Sequence, residues 1–362
     1  MRVVIAGGGT AGHVQPAVAL ARALGSEEVS YVGTATGAEA RLIPKAQLAF
    51  STIDISGFDR ARPLSLLSLG PRAARATMQA RSVLHERMPD VVVGMGGYVS
   101  LPVCVAARSR GTSIVLHEQN AVLGLANRVC KPLAARVAVS WLETLPSSGR
   151  RGVFTGNPVL PEIAHLDRNA RRAAALARFD LEPGRRTLLV FGGSQGARTI
   201  NRAAVGLSER WKGRTDRQVL HIAGPGEFEV FQARVASGGE LVYRIMDLLS
   251  EMMDAYSVAD LVLCRGGATT VAELTATGLP AIIVPYPFHR DRQQERHADV
   301  LASAGAAVML PDEETTTRSV GDIADSLFDS EETLGEMARA SLALGHPDAA
   351  EHLAAVVREA AA

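Results

Sequence analysis

The sequence has little of what membrane-spanning, secreted or metal-binding proteins require. Its three cysteines, Cys104, Cys130 and Cys264, lie in apolar surroundings without a CxxC or Cys/His spacing. This pattern favours buried free thiols in a reducing compartment over disulfides or a metal site. No apolar run reaches the roughly 18 residues that a transmembrane helix needs, and the opening MRVVIAGGG lacks the pattern of a signal peptide. We therefore expect a cytoplasmic protein, which leaves attachment to a membrane surface open.

Net charge and metal-binding motifs are also missing. Lys and Arg total 38, as do Asp and Glu, so the formal net charge is +0. A chain without a global positive field is not drawn to nucleic acid, and no nucleic acid partner is expected. The sequence contains no D-x-D pair and no H-E-x-x-H motif, so we predict neither a metal site nor another cofactor.

What is present indicates an α/β protein with two domains. With 362 residues and 47% hydrophobic residues, the chain suits two globular cores better than one. Short apolar strands alternate with helical patterns, which predicts doubly wound parallel sheets. The plan begins twice, at VVIAGGGTAGHVQPA and at LLVFGGSQGARTINR, which read as the starts of two Rossmann-like domains. We place these domains at residues 1–158 and 159–345, divided near TGNPVLP. A capping box at 347–351 opens a final helix in residues 346–362, which we expect to pack back on the first domain.

A glycine loop follows the first predicted strand. Gly7, Gly9 and Gly12 match G-x-G-x-x-G, but a dinucleotide site also requires Asp or Glu at the end of the second strand. That strand ends in VGTA at residues 32–35, so we expect the loop to approach a different ligand. His13 begins the next helix, where the helix dipole disfavours an imidazolium. It is a candidate general base, and a capping or packing histidine is the alternative.

The most informative stretch is residues 261–294, LVLCRGGATTVAELTATGLPAIIVPYPFHRDRQQ. A buried strand runs into Gly266 and Gly267 and then into a helix, whose free N–H groups and dipole suit a phosphate or diphosphate. Glu273 on that helix can accept hydrogen bonds from a pair of sugar hydroxyls, and RQQ at 292–294 adds donors. One βαβ unit thus has the chemistry to hold a nucleotide sugar.

Three further segments carry side chains of functional interest. GGY at 96–98 and HEQN at 117–120 both follow predicted strands, at the edge where open α/β sheets bind ligands. Glu118 can act there in chemistry or can simply brace the first loop. Residues 60–81, RARPLSLLSLGPRAARATMQAR, contain no acid and interleave leucines with arginines. An ordinary solvated helix and a surface that lies on an anionic bilayer both fit that pattern.

Eight motifs in order carry a resemblance to a known family. GGGTAGH, GMGGYVS, LHEQN, TGNPV, GGSQGA, CRGGATTVAE, GLPAIIVPYP and DRQQ span nearly the whole chain. Together they resemble the MurG family of bacterial cell-wall glycosyltransferases. The resemblance implies transfer of N-acetylglucosamine from UDP-N-acetylglucosamine to the C4 hydroxyl of an undecaprenyl-diphosphate-linked muramyl-pentapeptide, with inversion and without a metal. It also implies a GT-B fold, with two Rossmann-like domains facing across a cleft, and peripheral attachment to the cytoplasmic face of the cell membrane, where lipids are anionic.

The resemblance further implies a set of site residues. His13 would be the general base, with Glu118 as its orienter or rival, and the helix after Gly267 would stabilise the leaving diphosphate. The donor contacts it implies are Thr10, Ala11, Gly12, Asn120, Ser194, Leu249, Ala268, Thr269, Thr270, Val271, Ala272, Glu273, Gln293 and Gln294.

The sequence departs from the family pattern at two positions. Leu160 stands where GNPV is usually followed by Arg, so one donor contact is missing or comes from elsewhere. Gly266 stands where Ser or Ala often follows CR, a change that a contact made by the backbone alone would tolerate. The alternatives are another GT-B transferase with a different lipid or small-molecule acceptor, and a non-catalytic nucleotide-sugar-binding module.

Overall fold

The computed structural model describes residues 1–9, 11–56, 69–193, 196–249, 251–288 and 291–362, without the side chains of residues 11 and 69. The chain divides into two compact units. Unit 1 comprises Met1–Leu160 with Asp348–Ala362, and unit 2 comprises Pro161–Pro347. The last helix of the chain therefore belongs to the unit that contains the first strand.

Unit 1 contains, among its described residues, a seven-stranded parallel sheet in the order β3-β2-β1-β4-β5-β6-β7. Its strands are β1 (Arg2–Ala6), β2 (Glu28–Gly33), β3 (Ala49–Thr52), β4 (Val91–Gly94), β5 (Ser113–Glu118), β6 (Arg136–Val139) and β7 (Gly152–Phe154). Its helices are α1 (Ala11–Leu24), α2 (Glu39–Lys45), α3 (Leu69–Arg87), α4 (Gly97–Ser109), α5 (Leu125–Cys130), α6 (Leu145–Ser148) and α16 (Ala349–Ala361).

Unit 2 repeats the arrangement with six parallel strands described, in the order β10-β9-β8-β11-β12-β13. Its strands are β8 (Arg186–Phe191), β9 (Arg217–Ile222), β10 (Val242–Met246), β11 (Leu261–Cys264), β12 (Ala281–Ile283) and β13 (Ala307–Met309). Its helices are α7 (Pro161–Ala164), α8 (Arg168–Arg178), α9 (Arg198–Arg210), α10 (Phe228–Gln232), α11 (Met253–Val258), α12 (Ala268–Thr277), α13 (Gln293–Ser303), α14 (Thr317–Phe328) and α15 (Glu331–Ala343).

Both faces of the unit 1 sheet are buried, as expected for parallel strands covered by helices. Successive residues of a strand point to opposite faces. Val4 of β1 accordingly packs in a cluster with α3 and α4, whereas Val3 and Ile5 pack in a second cluster with α1 and α16. Leu353 of α16 is fully buried in that second cluster. The prediction of doubly wound parallel sheets is confirmed.

Helix α3 begins at Leu69, within the segment for which a solvated helix was one interpretation, and Ala76, Ala80 and Leu84 form its buried stripe at helical spacing. Two local predictions need correction. Strand β5 continues through Glu118, so the polar run begins inside the sheet. The capping box at 347–351 does not form, because Asp348 has φ −87° and ψ 16° and makes no side-chain cap, whereas an N-cap residue is normally extended.

None of the helices within the described ranges is long and apolar enough to span a bilayer.

Candidate active site

Each sheet reverses its strand order between one pair of adjacent strands. In unit 1 the reversal lies between β1 and β4, and in unit 2 between β8 and β11. Ligands of open α/β sheets bind outside the carboxyl ends of the strands at such a point, where adjacent loops part. The four glycine turns singled out in the sequence follow these four strands. The fold therefore gathers them into two pairs, one in each unit.

The two glycine turns of unit 1 pack backbone against backbone. Gly97 has φ +74°, and a Cβ at that position would lie 2.5 Å from the carbonyl oxygen of Gly8. A Cβ on Gly8 would lie 2.6 Å from Cγ2 of Val99. Side chains are excluded from both positions, which holds the loop after β1 directly against the start of α4.

Glu39 braces the first glycine loop from the side, and the sequence pattern did not indicate it because the dinucleotide motif sets its acid at the end of β2. The fully buried carboxylate accepts hydrogen bonds from the Gly9 N–H at 3.1 Å and from the Thr34 N–H and hydroxyl at 3.0 and 2.7 Å. Its position at the start of α2 follows β2 by several residues, beyond the spacing of the dinucleotide motif. The acid holds the loop itself.

His13 lies in the first turn of α1, partly buried. Burial lowers the pKa of the imidazole, while the charge of Glu39 raises it in part. The ring is close to Gly96, since a Cβ there would be 3.5 Å from His13 Nε2. A neutral imidazole near pH 7 at the switch point can accept a proton.

Glu118 is almost fully buried, and its carboxylate accepts four hydrogen bonds from its own loop. Oε1 accepts from the N–H and the side-chain amide of Asn120, both at 3.0 Å, and Oε2 accepts from Gly124 N at 2.7 Å and Asn127 Nδ2 at 2.9 Å. Burial raises the pKa of this carboxyl, and the four hydrogen bonds oppose that rise. The geometry favours a brace for residues 118–127 over a base. Glu118 does not brace the first glycine loop, which Glu39 supports through Gly9.

Asn127 and His117 complete this polar cluster. His117 belongs to the HEQN segment that the sequence singled out, whereas Asn127 carried no sequence signal. The Asn127 side-chain amide also donates to the His117 carbonyl at 2.9 Å and lies beside His13 across Gly96. His117 is fully buried, which lowers its pKa to about 4. Within the described part of the chain, His117 Nδ1 and Asn127 Oδ1 have no hydrogen-bond partner. Buried polar groups in that condition commonly meet a ligand or water.

In unit 2 the turn after β11 leads directly into α12. Gly267 is the N-cap and offers no side chain to the first turn, so this helix end suits an anion. His297 bonds the Gly266 carbonyl at 2.9 Å, and a Cβ at 266 would lie 2.7 Å from the carbonyl oxygen of Gln294. Glycine at 266 therefore admits the first turn of α13, and a larger residue would require that turn to move.

Glu273 lies one and a half turns into α12 and is 5% exposed. Its Oε2 accepts a hydrogen bond of 2.6 Å from the hydroxyl of Tyr256 on α11. Burial raises the pKa of Glu273 to about 7, and the Tyr256 hydrogen bond lowers it. The carboxylate is thus held by a tyrosine that the sequence argument did not single out.

The remaining predicted contacts are distributed as follows. Ala11 and Gly12 form the first turn of α1, and the α12 residues from Ala268 to Ala272 lie at its beginning. Gln293 opens α13, and Gln294 Oε1 accepts from the Tyr286 N–H at 3.0 Å. Leu249 follows β10 at the edge of the unit 2 sheet. Thr10 and Ser194 lie outside the described residues.

No cluster of three or more His, Cys, Asp or Glu that could hold a metal ion occurs in the ranges that the structure describes.

Comparison with known families matches both units. Residues 3–139 match the glycosyltransferase family 28 N-terminal domain, and residues 187–353 match the glycosyltransferase family 28 C-terminal domain.

Full-length relatives agree with this match. The chain is 43% identical over 364 residues to a protein of Saccharopolyspora erythraea, covering 99% of this chain and 94% of that protein. It is 38% identical over 360 residues to a protein of Desulforamulus reducens, covering 96% of both. Each of these relatives is named UDP-N-acetylglucosamine--N-acetylmuramyl-(pentapeptide) pyrophosphoryl-undecaprenol N-acetylglucosamine transferase.

Solved structures show the same fold. The crystal structure of Acinetobacter baumannii MurG aligns with a TM-score of 0.77 and 29% identity over 99% of both chains. A Neisseria meningitidis UDP-GlcNAc 2-epimerase bound to UDP-GlcNAc aligns with a TM-score of 0.69 at 13% identity, over 99% of this chain and all of that chain, and so shares the fold alone. With both domain models matched and relatives aligned along its whole length, this chain belongs to glycosyltransferase family 28, in the MurG family of N-acetylglucosamine transferases.

Proposed function

We propose that this chain transfers N-acetylglucosamine from UDP-N-acetylglucosamine to the C4 hydroxyl of the muramyl sugar of undecaprenyl-diphosphate-linked muramyl-pentapeptide, in peptidoglycan synthesis. The carrying observation is the unit 2 switch point, where one helix supplies both a glycine-capped N-terminus and a buried carboxylate. An anion cradle and a diol acceptor on one helix fit the diphosphate and the ribose of a UDP-sugar. Relatives of this chain over its full length are named as enzymes of this reaction.

The two units divide the reaction between them in this proposal. Unit 2 holds the donor through the first turn of α12, with Glu273 on the ribose, Leu249 near the uracil, and Gln293 and Gln294 on the sugar side. Unit 1 receives the acceptor at the polar cluster around His13 and Glu118. Gly12 and Asn120 of unit 1 are the further donor contacts in this proposal, and the buried Glu39 keeps the loop before Gly12 in place.

The chemistry follows from these groups. His13 removes the proton of the C4 hydroxyl as that oxygen attacks the anomeric carbon from the face opposite UDP, which inverts the configuration. A positioned general base contributes about 10²–10⁴-fold to rate. The bond to the UDP oxygen breaks, and the positive end of α12 stabilises the charge that develops on the diphosphate. The four hydrogen bonds at Glu118 support its role as the group that orients this loop.

Membrane attachment rests on helix α3. Its outer face carries Arg72, Arg75 and Arg81 together with Met78, which is 66% exposed. Cationic and apolar side chains on one face suit the anionic, inner surface of the cytoplasmic membrane. The leucines at 64, 66 and 67 belong to the same sequence pattern but lie outside the described residues.

Release of UDP from UDP-N-acetylglucosamine is the measurement that tests this function. We expect release to depend on a lipid-linked muramyl-pentapeptide acceptor and to give a disaccharide-linked product of matching amount. UDP release that proceeds equally with an unrelated acceptor sugar would indicate a different transferase of the same fold. Binding of UDP-N-acetylglucosamine without release under either condition would indicate a binding module.

A further inference from the structure

Glu273 is the residue on which ribose binding rests, and the structure shows what fixes its conformation. A glutamate side chain has three rotatable bonds, and a lone buried carboxylate is costly to ionise. The Tyr256 hydroxyl meets Oε2 at 2.6 Å, a short distance typical of a hydroxyl that bonds an ionised oxygen. Burial raises the pKa of Tyr256 above its usual value, so its O–H remains a donor throughout the neutral range.

Tyr256 is itself held in place by three sets of contacts. Its ring packs edge-on against Phe191 at the end of β8, with centroids 6.3 Å apart. Its carbonyl oxygen accepts from Arg168 Nε of α8 at 3.0 Å. Next to it on α11, Asp254 forms ion pairs with Arg171 and Arg178 of α8. The tyrosine is fully buried within this arrangement, so α8 anchors α11, and α11 aims the hydroxyl at α12.

We propose that Tyr256 is a positioning residue for the nucleotide: by holding Oε2 of Glu273, it directs Oε1 toward the ribose hydroxyls. The same hydrogen bond favours the accepting, ionised form of the carboxylate. The inference rests on the proposed function, in which Glu273 accepts from the ribose. It adds Tyr256, which would act on the nucleotide through the Glu273 carboxylate.

Other ionisable groups lie on the elements around Glu273. Helix α12 packs against α7, α13 and α15, whose ionisable residues include Glu162 on α7, Glu295, Arg296 and His297 on α13, and Glu336 and Arg339 on α15. Cys264 at the end of β11 acts on Tyr256. For Glu273 itself, burial and the Tyr256 hydrogen bond are the two influences that set its pKa.

The test is the pH dependence of UDP binding to the full chain, measured by calorimetry for wild type and Tyr256→Phe. Loss of a hydrogen bond to the ionised form should lower the acid dissociation constant of Glu273 by about tenfold. From a pKa of about 7, the ionised fraction at pH 7 then falls from about a half to about a tenth, so UDP should bind about fivefold more weakly. Near pH 9 the carboxylate is ionised in both proteins, so the part of the penalty that comes from protonation should vanish and only the part that comes from lost orientation should remain. Taking the ratio of the two dissociation constants at each pH cancels the titration of UDP itself.

Two controls separate positioning from simple packing. Tyr243→Phe removes another tyrosine hydroxyl of unit 2, one that bonds His221 Nδ1 at 2.9 Å, and should leave UDP binding unchanged at every pH. In a Glu273→Gln background, Tyr256→Phe should add no pH-dependent penalty. The absence of any Tyr256→Phe penalty near pH 7, or a penalty of the same size with Gln at 273, overturns the positioning role.

The failure of the underlying function looks different from the failure of this inference. If Glu273→Gln alone leaves UDP affinity unchanged, the ribose contact is absent and this inference fails, whereas the transferase function is decided separately by whether UDP release depends on the acceptor. If Glu273→Gln weakens UDP binding while Tyr256→Phe has no effect near pH 7, the ribose contact stands and only the role of Tyr256 is removed.

Discussion

Several candidate site residues of this protein lie in surroundings that shift their pKa values. Glu273 titrates near pH 7 because it is buried, with Tyr256 as its hydrogen-bond donor. Burial also lowers the pKa of His13 and of His117. Near neutral pH the Glu273 carboxylate of unit 2 is therefore partly ionised, while His13 and His117 of unit 1 are mainly neutral. Such shifts are common where groups accept or release protons, and they make two residues direct targets for mutation.

Glu273→Gln should weaken UDP binding about tenfold or more at pH 8, because hydrogen bonds to a charged group contribute about 1.5–3 kcal/mol. UDP and UDP-N-acetylglucosamine should weaken in parallel, since the contact is to ribose. For wild type, affinity should rise as pH passes upward through about 7 and the carboxylate ionises. Titration calorimetry with UDP and 2′-deoxy-UDP decides the point. Equal penalties for the deoxy ligand on wild type and mutant would mean that Glu273 only braces α12.

His13→Ala should lower turnover by about 10²–10⁴-fold while changing UDP-N-acetylglucosamine affinity little, because a general base acts in the transition state. Initial rates with a lipid-linked acceptor and donor calorimetry measure the two effects separately. The pH profile of wild-type turnover should fall on the acid side as the imidazole gains a proton. Turnover within a few-fold of wild type would remove His13 as the base and return that role to Glu118.

At the scale of single elements, helix α3 has one buried face and one face exposed to solvent. In α3, Ala76, Ala80 and Leu84 pack into the unit 1 core. On the opposite face Arg75 pairs with Asp54 at 3.1 Å, both well exposed, and Arg81 donates to Ser109 at 3.0 Å. Exposed pairs of this kind contribute little stability. Changing the outer arginines should therefore spare the fold and test the surface.

Replacing Arg72, Arg75 and Arg81 by Glu should weaken binding to anionic vesicles by about a hundredfold or more, at roughly 1 kcal/mol for each cation near the surface. Turnover of a soluble acceptor analogue should stay near wild type. The matched control is Arg202, Arg318 and Arg339 to Glu, three exposed arginines of unit 2, which makes the same change in net charge. Vesicle sedimentation compares the two. Equal loss in both triple variants would assign the effect to net charge and leave α3 an ordinary solvated helix.

At the scale of the whole molecule, the last helix packs on the sheet that contains the first strand. Helix α16 covers one face of the unit 1 sheet beside α1, and Leu353 and Val357 are fully buried there. Arg136 pairs with Glu359 at 2.6 Å, and Arg358 donates to the Ala23 carbonyl at 3.2 Å. The core of unit 1 thus depends on residues more than 300 positions along the chain from β1.

Leu353→Ala should lower the free energy of unfolding of unit 1 by about 2–5 kcal/mol, the usual cost of a large-to-small change in a core. Leu142→Ala, at a leucine that is 61% exposed in unit 1, is the control and should change it little. Chemical denaturation followed by circular dichroism measures both. UDP affinity in native buffer should be unaffected, because α12 lies in unit 2. Equal stability of the two variants would show that α16 is not part of the unit 1 core.

The sequence by itself determined the features that depend on local pattern. Apolar runs and glycine turns sufficed to predict β1, β4, β11 and α12, which the structure contains. The polar turns predict ligand binding at the carboxyl edge of the parallel strands, and this stays a prediction. Glu273 stood out because it is the one charged side chain of the helix that follows the phosphate-type turn.

Only the tertiary structure decided which groups meet across strands and helices. Glu39 reaches Gly9 from a helix 30 positions along the chain, and Tyr256 reaches Glu273 from another helix, contacts that no local pattern encodes. The pKa values of His13 and Glu273 likewise depend on burial by distant segments. The physical reason is that hydrogen bonds and desolvation act over a few ångströms in space, whatever the separation of residues along the chain.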